Sequence, residues 1–249
     1  MEAPNALPGA HGAATVVAMR TLGLLGGMSW ESTVTYYRLL NEGVRDRLGG
    51  MHSARLVLHS VDFADIEVLQ RAGRWSEAGA ILADGARGLA AAGAEALVIC
   101  ANTMHLVVDQ VEAAGLPVLH IGDALAAAAR EQGVTALALL GTAYTMEQPF
   151  LRDHLAAAGV STVVPDAGER ADLQRIVFDE LTLGRVEDGS RERFEAIVAR
   201  LVREEGADGA ALACTEFGLL VDPSALPVPG FDTTALHCAA ALDWMVAPA

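Results

Sequence analysis

Two stretches of the chain read as copies of one another, GAEALVICANTMH at Gly93–His105 and GADGAALACTEFG at Gly206–Gly218. Each is a short apolar run that ends in small and polar residues where a helix would open. A second matched pair, GLLGGMSW at Gly23–Trp30 and ALLGTAYT at Ala138–Thr145, lies at nearly the same distance upstream: 75 positions separate Gly26 from Ala101, and 73 separate Gly141 from Cys214. Two landmarks in the same order at nearly equal separation predict a duplicated lobe. The intervening residues agree. Apolar runs at Thr21–Gly27, Ala54–Phe63, within Gly93–His105, and at Leu116–Ile121, Ala136–Thr142, Ser161–Pro165 and Gly209–Cys214 read as strands. Between the first two, Trp30, Val34, Tyr37, Leu40, Val44 and Leu48 recur at three- and four-residue steps, with Ser29 as the expected cap. A further helical stretch runs through Ile81–Ala92. Strands alternating with helices build parallel βαβ units covered on both faces. The expected fold is therefore α/β, with two pseudo-symmetric Rossmann-like lobes and a ligand cleft beyond the carboxyl ends of their strands.

At 249 residues, 52% hydrophobic and 20% charged, the chain can bury one large core or two of ordinary size. A net charge of −15 opposes binding to nucleic acid or to an anionic membrane. No apolar stretch approaches the roughly 20 residues that span a bilayer. Residues 1–20, with an early acid and two prolines before Arg20, make a poor signal peptide and read as a loose tail. The three cysteines, Cys100, Cys214 and Cys238, are far apart, with no CxxC pair and no metal-ligand spacing. The expectation is a cytoplasmic protein with free thiols and no metal.

Chemistry concentrates at the strand ends. Cys214 is followed by Thr215, Glu216 and the apolar run Phe217–Val221. A thiol where a strand turns into a helix is expected to have a lowered pKa and to act as a base. Cys100 lies one residue inside its strand, so its side chain should point away from the face used by Ala101. Cys238, in the final helix, reads as packing. Asn102 and Thr103 open a helix and either cap it or, with free backbone N–H groups, hold a carboxylate. Thr142 and Thr215 are their counterparts in the second half. The turn Gly26–Ser29, through Met28, offers further backbone donors. Arg55 is either a bidentate carboxylate clamp or a solvated surface arginine. His105 and His120 read as structural histidines.

The motifs GLLGGMSWEST, GGMHSARLVLHSVDF, NTMH, LLGTAYTM, DEL…G and ACTEFGLLV…FDTTALH together resemble the aspartate/glutamate racemase family, in its broad-specificity branch with NTMH and CTE signatures. The similarity runs from about Thr21 to His237. It implies two pseudo-symmetric α/β lobes, a homodimer, no pyridoxal phosphate or other cofactor, and a small amino acid or dicarboxylate such as aspartate or glutamate as substrate. Residues 21–120 with 233–249 are expected to form the first lobe, and residues 121–232 the second. The resemblance also implies a two-base reaction, in which one strand-end residue removes the α-proton and the other returns a proton to the opposite face. Cys214 matches the family's second catalytic cysteine. Met28, Arg55, Asn102, Thr103 and Thr215 match substrate-holding positions, joined by Thr142 and Glu216 as expected contacts.

Two residues depart from the pattern. Ala101 stands where the family carries cysteine or threonine, and a methyl group neither gives nor takes a proton. Thr182 stands where some relatives carry a carboxylate-binding lysine. Four readings follow: a racemase or epimerase pairing Cys214 with water, Cys100 or a polar group; a single-thiol decarboxylase, lyase or isomerase, as in arylmalonate decarboxylases; a binding protein without turnover; or an engineered alanine at position 101.

Overall fold

The computed structural model describes residues 18–247, so most of the expected tail lies outside the described residues. The end of that stretch is anchored: Met19 is buried, and the Arg20 N–H donates to the Met245 carbonyl at 3.0 Å. Two parallel sheets follow. In the first, β1 (Leu22–Gly26) lies between β2 (Leu56–Ser60) and β3 (Ala96–Ile99). The second comprises β4 (Ala136–Gly141), β5 (Ser161–Val163), β6 (Gly209–Ala213) and β7 (Gly230–Asp232), ordered β5-β4-β6-β7. Residues of β1, β3 and β6 are buried throughout, which explains their unbroken apolar sequences.

The duplication extends to individual bonds. Just before β3, Glu95 accepts from the Thr21 N–H at 2.8 Å; just before β6, Asp208 accepts from the Thr135 and Ala136 N–H groups at 3.0 and 2.8 Å. In both lobes an acid at the entrance of one strand fixes the start of its neighbour. At the exit, Gly26 and Gly141 admit close packing by Thr33 and Thr145, which a Cβ would meet at 2.5 and 3.0 Å. Gly27 then turns the chain with φ +95°, where a Cβ would lie 2.2 Å from the Val61 carbonyl oxygen.

The fourth positions of the two sheets differ from the sequence expectation. Leu116–Ile121 is not a strand: only Val118 bridges to Leu97, and the helix Ile121–Glu131 has already begun at Ile121. Its counterpart β7 is three residues long and preceded by prolines, which hid it from periodicity. The helices after these two edges exchange sides. Ile121–Glu131 buries Leu125, Ala126 and Ala129 beneath the second sheet, whereas Thr233–Val246 buries Cys238, Ala241 and Met245 against Leu22, Leu24 and Tyr36 of the first.

Histidines fix the first exchange. The His105 ring lies 2.9 Å from the Ala101 carbonyl through Nδ1 and accepts the Ile121 N–H at Nε2, 3.3 Å away. The His237 Nε2 reaches the Leu119 carbonyl at 2.7 Å, and His120 Nδ1 accepts from the Gly122 N–H at 3.0 Å. Burial pushes all three rings below the usual histidine range, His120 and His237 to about 4. A depressed histidine pKa stabilises the fold above about 6.5, and that stability is lost as the pH falls towards the folded value. Between pH 7 and pH 5, each of His120 and His237 is expected to withdraw about 2 kcal/mol. Urea midpoints at the two pH values check this, and equal midpoints would contradict it.

Candidate active site

The carboxyl ends of the central strands meet at a cleft between the lobes. The first lobe supplies the turn after β1 and the segment after β3, and the second supplies the residues after β4 and β6. Ala101 lines it from the first lobe and Cys214 from the second. Cys100 faces the other way: it is fully buried with Leu24 and Cys238, whereas Ala101 packs with Met28 and Met104 on the opposite side of the sheet. Strand alternation thus separates adjacent residues into different environments, and Cys100 does not line the cleft.

Cys214 is 8% exposed, and its Sγ donates to Glu216 Oε2 at 2.9 Å. Glu216 gathers four side-chain donors. Oε2 also receives Thr215 Oγ1 at 2.7 Å, and Oε1 lies 3.0 Å from Ser29 Oγ and 3.1 Å from Ser32 Oγ. The serines belong to the first lobe, where Ser29 caps the helix Trp30–Leu48; Cys214 and Thr215 belong to the second. Ser32 has one proton to share between Glu216 and Thr215 Oγ1, which it also touches. A buried carboxylate requires such partners. Glu216, expected as a substrate contact, lines the cleft, but its oxygens already join the thiol to both lobes.

The thiol departs from the sequence expectation of a lowered pKa. Burial first, and the neighbouring Glu216 charge second, push it well above the ordinary range. The helix behind it, Phe217–Leu220, is a single turn that starts three residues beyond Cys214 and cannot offset those effects. The resting sulfur therefore carries its proton.

Other expected residues converge on the same cleft. Thr103 Oγ1 lies 3.2 Å from Thr142 Oγ1 and 3.0 Å from Thr145 Oγ1, so hydroxyls from both lobes meet at one point. Asn102 donates through Nδ2 to Thr233 Oγ1 at 3.1 Å, and its buried Oδ1 has no partner among the described residues. Met28, Thr215 and Thr182 also line the cleft. Arg55 does not. It precedes β2, at the amino edge of the sheet, and its guanidinium donates to the Met19 carbonyl at 3.3 Å. The clamp reading fails because the strand runs from Arg55 towards the cleft, leaving the guanidinium at the wrong end.

Ser29, Ser32, Thr145 and Gln70 were not singled out as site residues by the sequence. The first three had a signal, since GGMSWEST and GTAYT occupy equivalent turns. Gln70 had none: it is one residue of an ordinary helix, Phe63–Arg71, yet it is buried and lines the cleft. Among the described residues, no group of three or more His, Cys, Asp or Glu side chains is arranged to hold a metal ion, and no helix is long and apolar enough to cross a membrane.

Residues 25–241 match the family described as Asp/Glu/Hydantoin racemase. The chain is similar to a candidate Asp/Glu racemase from Yersinia pestis, with 47% identity and a TM-score of 0.86 over 92% of this chain and 100% of that one. It is similar to an aspartate racemase homologue from Pyrococcus horikoshii OT3, with 32% identity and a TM-score of 0.81 over 92% and 100% of the two chains. The Picrophilus torridus aspartate racemase shares the fold at 21% identity, with a TM-score of 0.69 over 91% and 94%. Taken with the duplicated parallel lobes and the cleft between them, these matches mean that the chain belongs to the Asp/Glu/hydantoin racemase family.

Proposed function

We propose that the protein is an isomerase of the amino-acid racemase type, which moves a proton on and off the α-carbon of a small amino acid without pyridoxal phosphate. Cys214 is the acid/base, and Glu216 is the partner that takes and returns the thiol proton. The observation that carries this reading is the 2.9 Å contact between the Cys214 sulfur and the Glu216 carboxylate on the wall of an interlobe cleft. In the forward direction Cys214 passes its proton to Glu216, and the thiolate takes the α-proton. The freed electron pair is delocalised into the substrate carboxylate. The cleft-lining hydroxyls of Thr103 and Thr142 suit that carboxylate as it gains charge, and the unpartnered Asn102 oxygen suits the ammonium group. Water or a hydroxyl protonates the far face and completes the inversion, and Glu216 releases the proton it took to the hydroxide or alkoxide left behind, so that thiol and carboxylate return to their resting states.

Ala101 favours a second reading, one-faced chemistry. There a carbon–carbon bond to a carboxylate breaks, carbon dioxide leaves, and the electron pair remaining on the α-carbon takes the Cys214 proton. The thiolate then recovers a proton from solvent. Incubation with amino acids in D2O separates the two. Racemisation yields α-deuterium with loss of configuration; one-faced exchange yields α-deuterium with configuration retained. Absence of exchange from every amino acid, with carbon dioxide released from a substituted malonate, would sink the racemase reading. Ala101→Cys is expected to raise racemisation about 10- to 100-fold by adding a second acid/base. Chiral chromatography of the products measures it, and an unchanged rate would remove position 101 from the reaction.

A further inference from the structure

Among the described residues, no arginine side chain lines the cleft. All 17 basic residues of the chain are arginines. Arg170 and Arg175, on the helix that leads into its Val177–Thr182 wall, are engaged elsewhere: Arg170 with Glu147 and the Pro165 carbonyl, Arg175 with Glu180. Arg55 lies at the other end of its sheet. Among the described residues lining the cleft, the one charged side chain is Glu216, an anion. Much of the remaining surface is aromatic and thioether, from Phe63, Tyr144, Phe178 and Met104, with the buried amide of Gln70 resting on the Met104 sulfur at 3.1 Å.

We propose that the substrate carries a neutral side chain, apolar or amide-bearing, and that aspartate and glutamate are poor substrates for this protein. The proposal rests on reading the cleft as a site of α-proton transfer. An amino acid with a neutral side chain enters as a zwitterion without net charge, its carboxylate facing neutral hydroxyls and its ammonium an amide oxygen. A second carboxylate would add net negative charge to a site whose own charge has the same sign. Desolvating it there, without an ammonium or guanidinium partner, is strongly unfavourable. A thioether, phenyl or carboxamide group instead meets surface of its own kind.

The test is α-proton exchange in D2O, followed by NMR, for methionine, phenylalanine, glutamine, aspartate and glutamate with the intact protein. The neutral amino acids are expected to exceed both acids in kcat/KM by at least about 100-fold, as when a site leaves a polar group unpaired. Exchange of aspartate or glutamate as fast as that of every neutral amino acid overturns the proposal while leaving the proton-transfer reading intact. Exchange of none of them overturns the proton-transfer reading instead. In that case calorimetric titration of the Cys214→Ala protein with methionine and with glutamate decides the side-chain question alone, and tighter glutamate binding overturns the proposal. Thr182→Lys supplies the missing charge at a partly exposed lining position whose hydroxyl donates to the Phe178 carbonyl of its own turn. It is expected to raise the glutamate-to-methionine ratio about tenfold or more. An unchanged ratio would count against the argument from charge.

Discussion

Cys214→Ala is expected to lower α-proton exchange by about 10²- to 10⁴-fold, the range a positioned acid/base contributes. The substitution removes one sulfur atom from a position that is nearly closed to solvent and packed in the second-lobe core. Glu216 keeps its contacts with Thr215, Ser29 and Ser32, so the fold is expected to survive with a stability change of about 1–2 kcal/mol at most. Cys214→Ser is the sharper control. Its hydroxyl can still donate to Glu216, yet an alcohol holds its proton far more tightly than a thiol, so the geometry persists while the chemistry fails. Residual exchange above about one-tenth of wild type in the serine protein would refute the assignment.

The same thiol leaves a signature in stability. Its pKa is raised in the folded protein, so its contribution is present below the ordinary thiol range and is lost as the pH rises through and beyond it. The wild-type Tm is therefore expected to fall more between pH 7 and pH 10 than that of Cys214→Ala. Cys100 is raised by burial in both proteins and cancels from the comparison.

Local rules carried the reading of the fold a long way. Unbroken apolar runs marked β1, β3, β4 and β6, and the near-equal spacing of two landmarks revealed the second lobe before any contact was known. Strand alternation correctly sent Cys100 and Ala101 to opposite faces. What stayed hidden depends on distance along the chain. Glu216 meets Ser29 and Ser32 from 187 and 184 residues away, so nothing near CTEF announces that its carboxylate joins the lobes. The raised thiol pKa stays hidden for the same reason. A strand end followed by polar residues suggests a solvated helix terminus, and the helix propensity of FGLL gives no warning that it ends after one turn. Arg55 was legible in the other direction: it opens the strand Ala54–Phe63 and the cleft lies beyond the carboxyl ends, so strand direction already opposes the clamp that its motif suggests. Gln70 illustrates the limit most simply, since burial of one amide in an amphipathic helix is decided by what packs over it.

Glu216→Gln is expected to lower turnover by about 10²- to 10³-fold and stability by about 1–3 kcal/mol, with the thiol becoming easier to ionise. Glutamine preserves volume but replaces one acceptor oxygen by a donor. Its carbonyl is expected to stay with Cys214 and Thr215, because a thiol is a poor acceptor, leaving the amide nitrogen towards Ser29 and Ser32. Serine oxygens can turn to accept, which limits the destabilisation. Glu216→Ala, which leaves all four donors without their acceptor, should be worse, at about 3–5 kcal/mol. The informative readout is the pH dependence of Cys214 alkylation. Removing the negative charge abolishes the second cause of the raised thiol pKa, while burial, the first, remains. The alkylation midpoint should therefore move to lower pH in Glu216→Gln even as catalysis collapses, because the thiolate forms more readily but has lost the group that exchanges its proton. A purely structural joint between the lobes predicts something else: a lower Tm, an unmoved alkylation midpoint and near-normal turnover in the molecules that remain folded. Separating those outcomes decides whether the contact between the two lobes is also the route by which the thiol is charged and discharged.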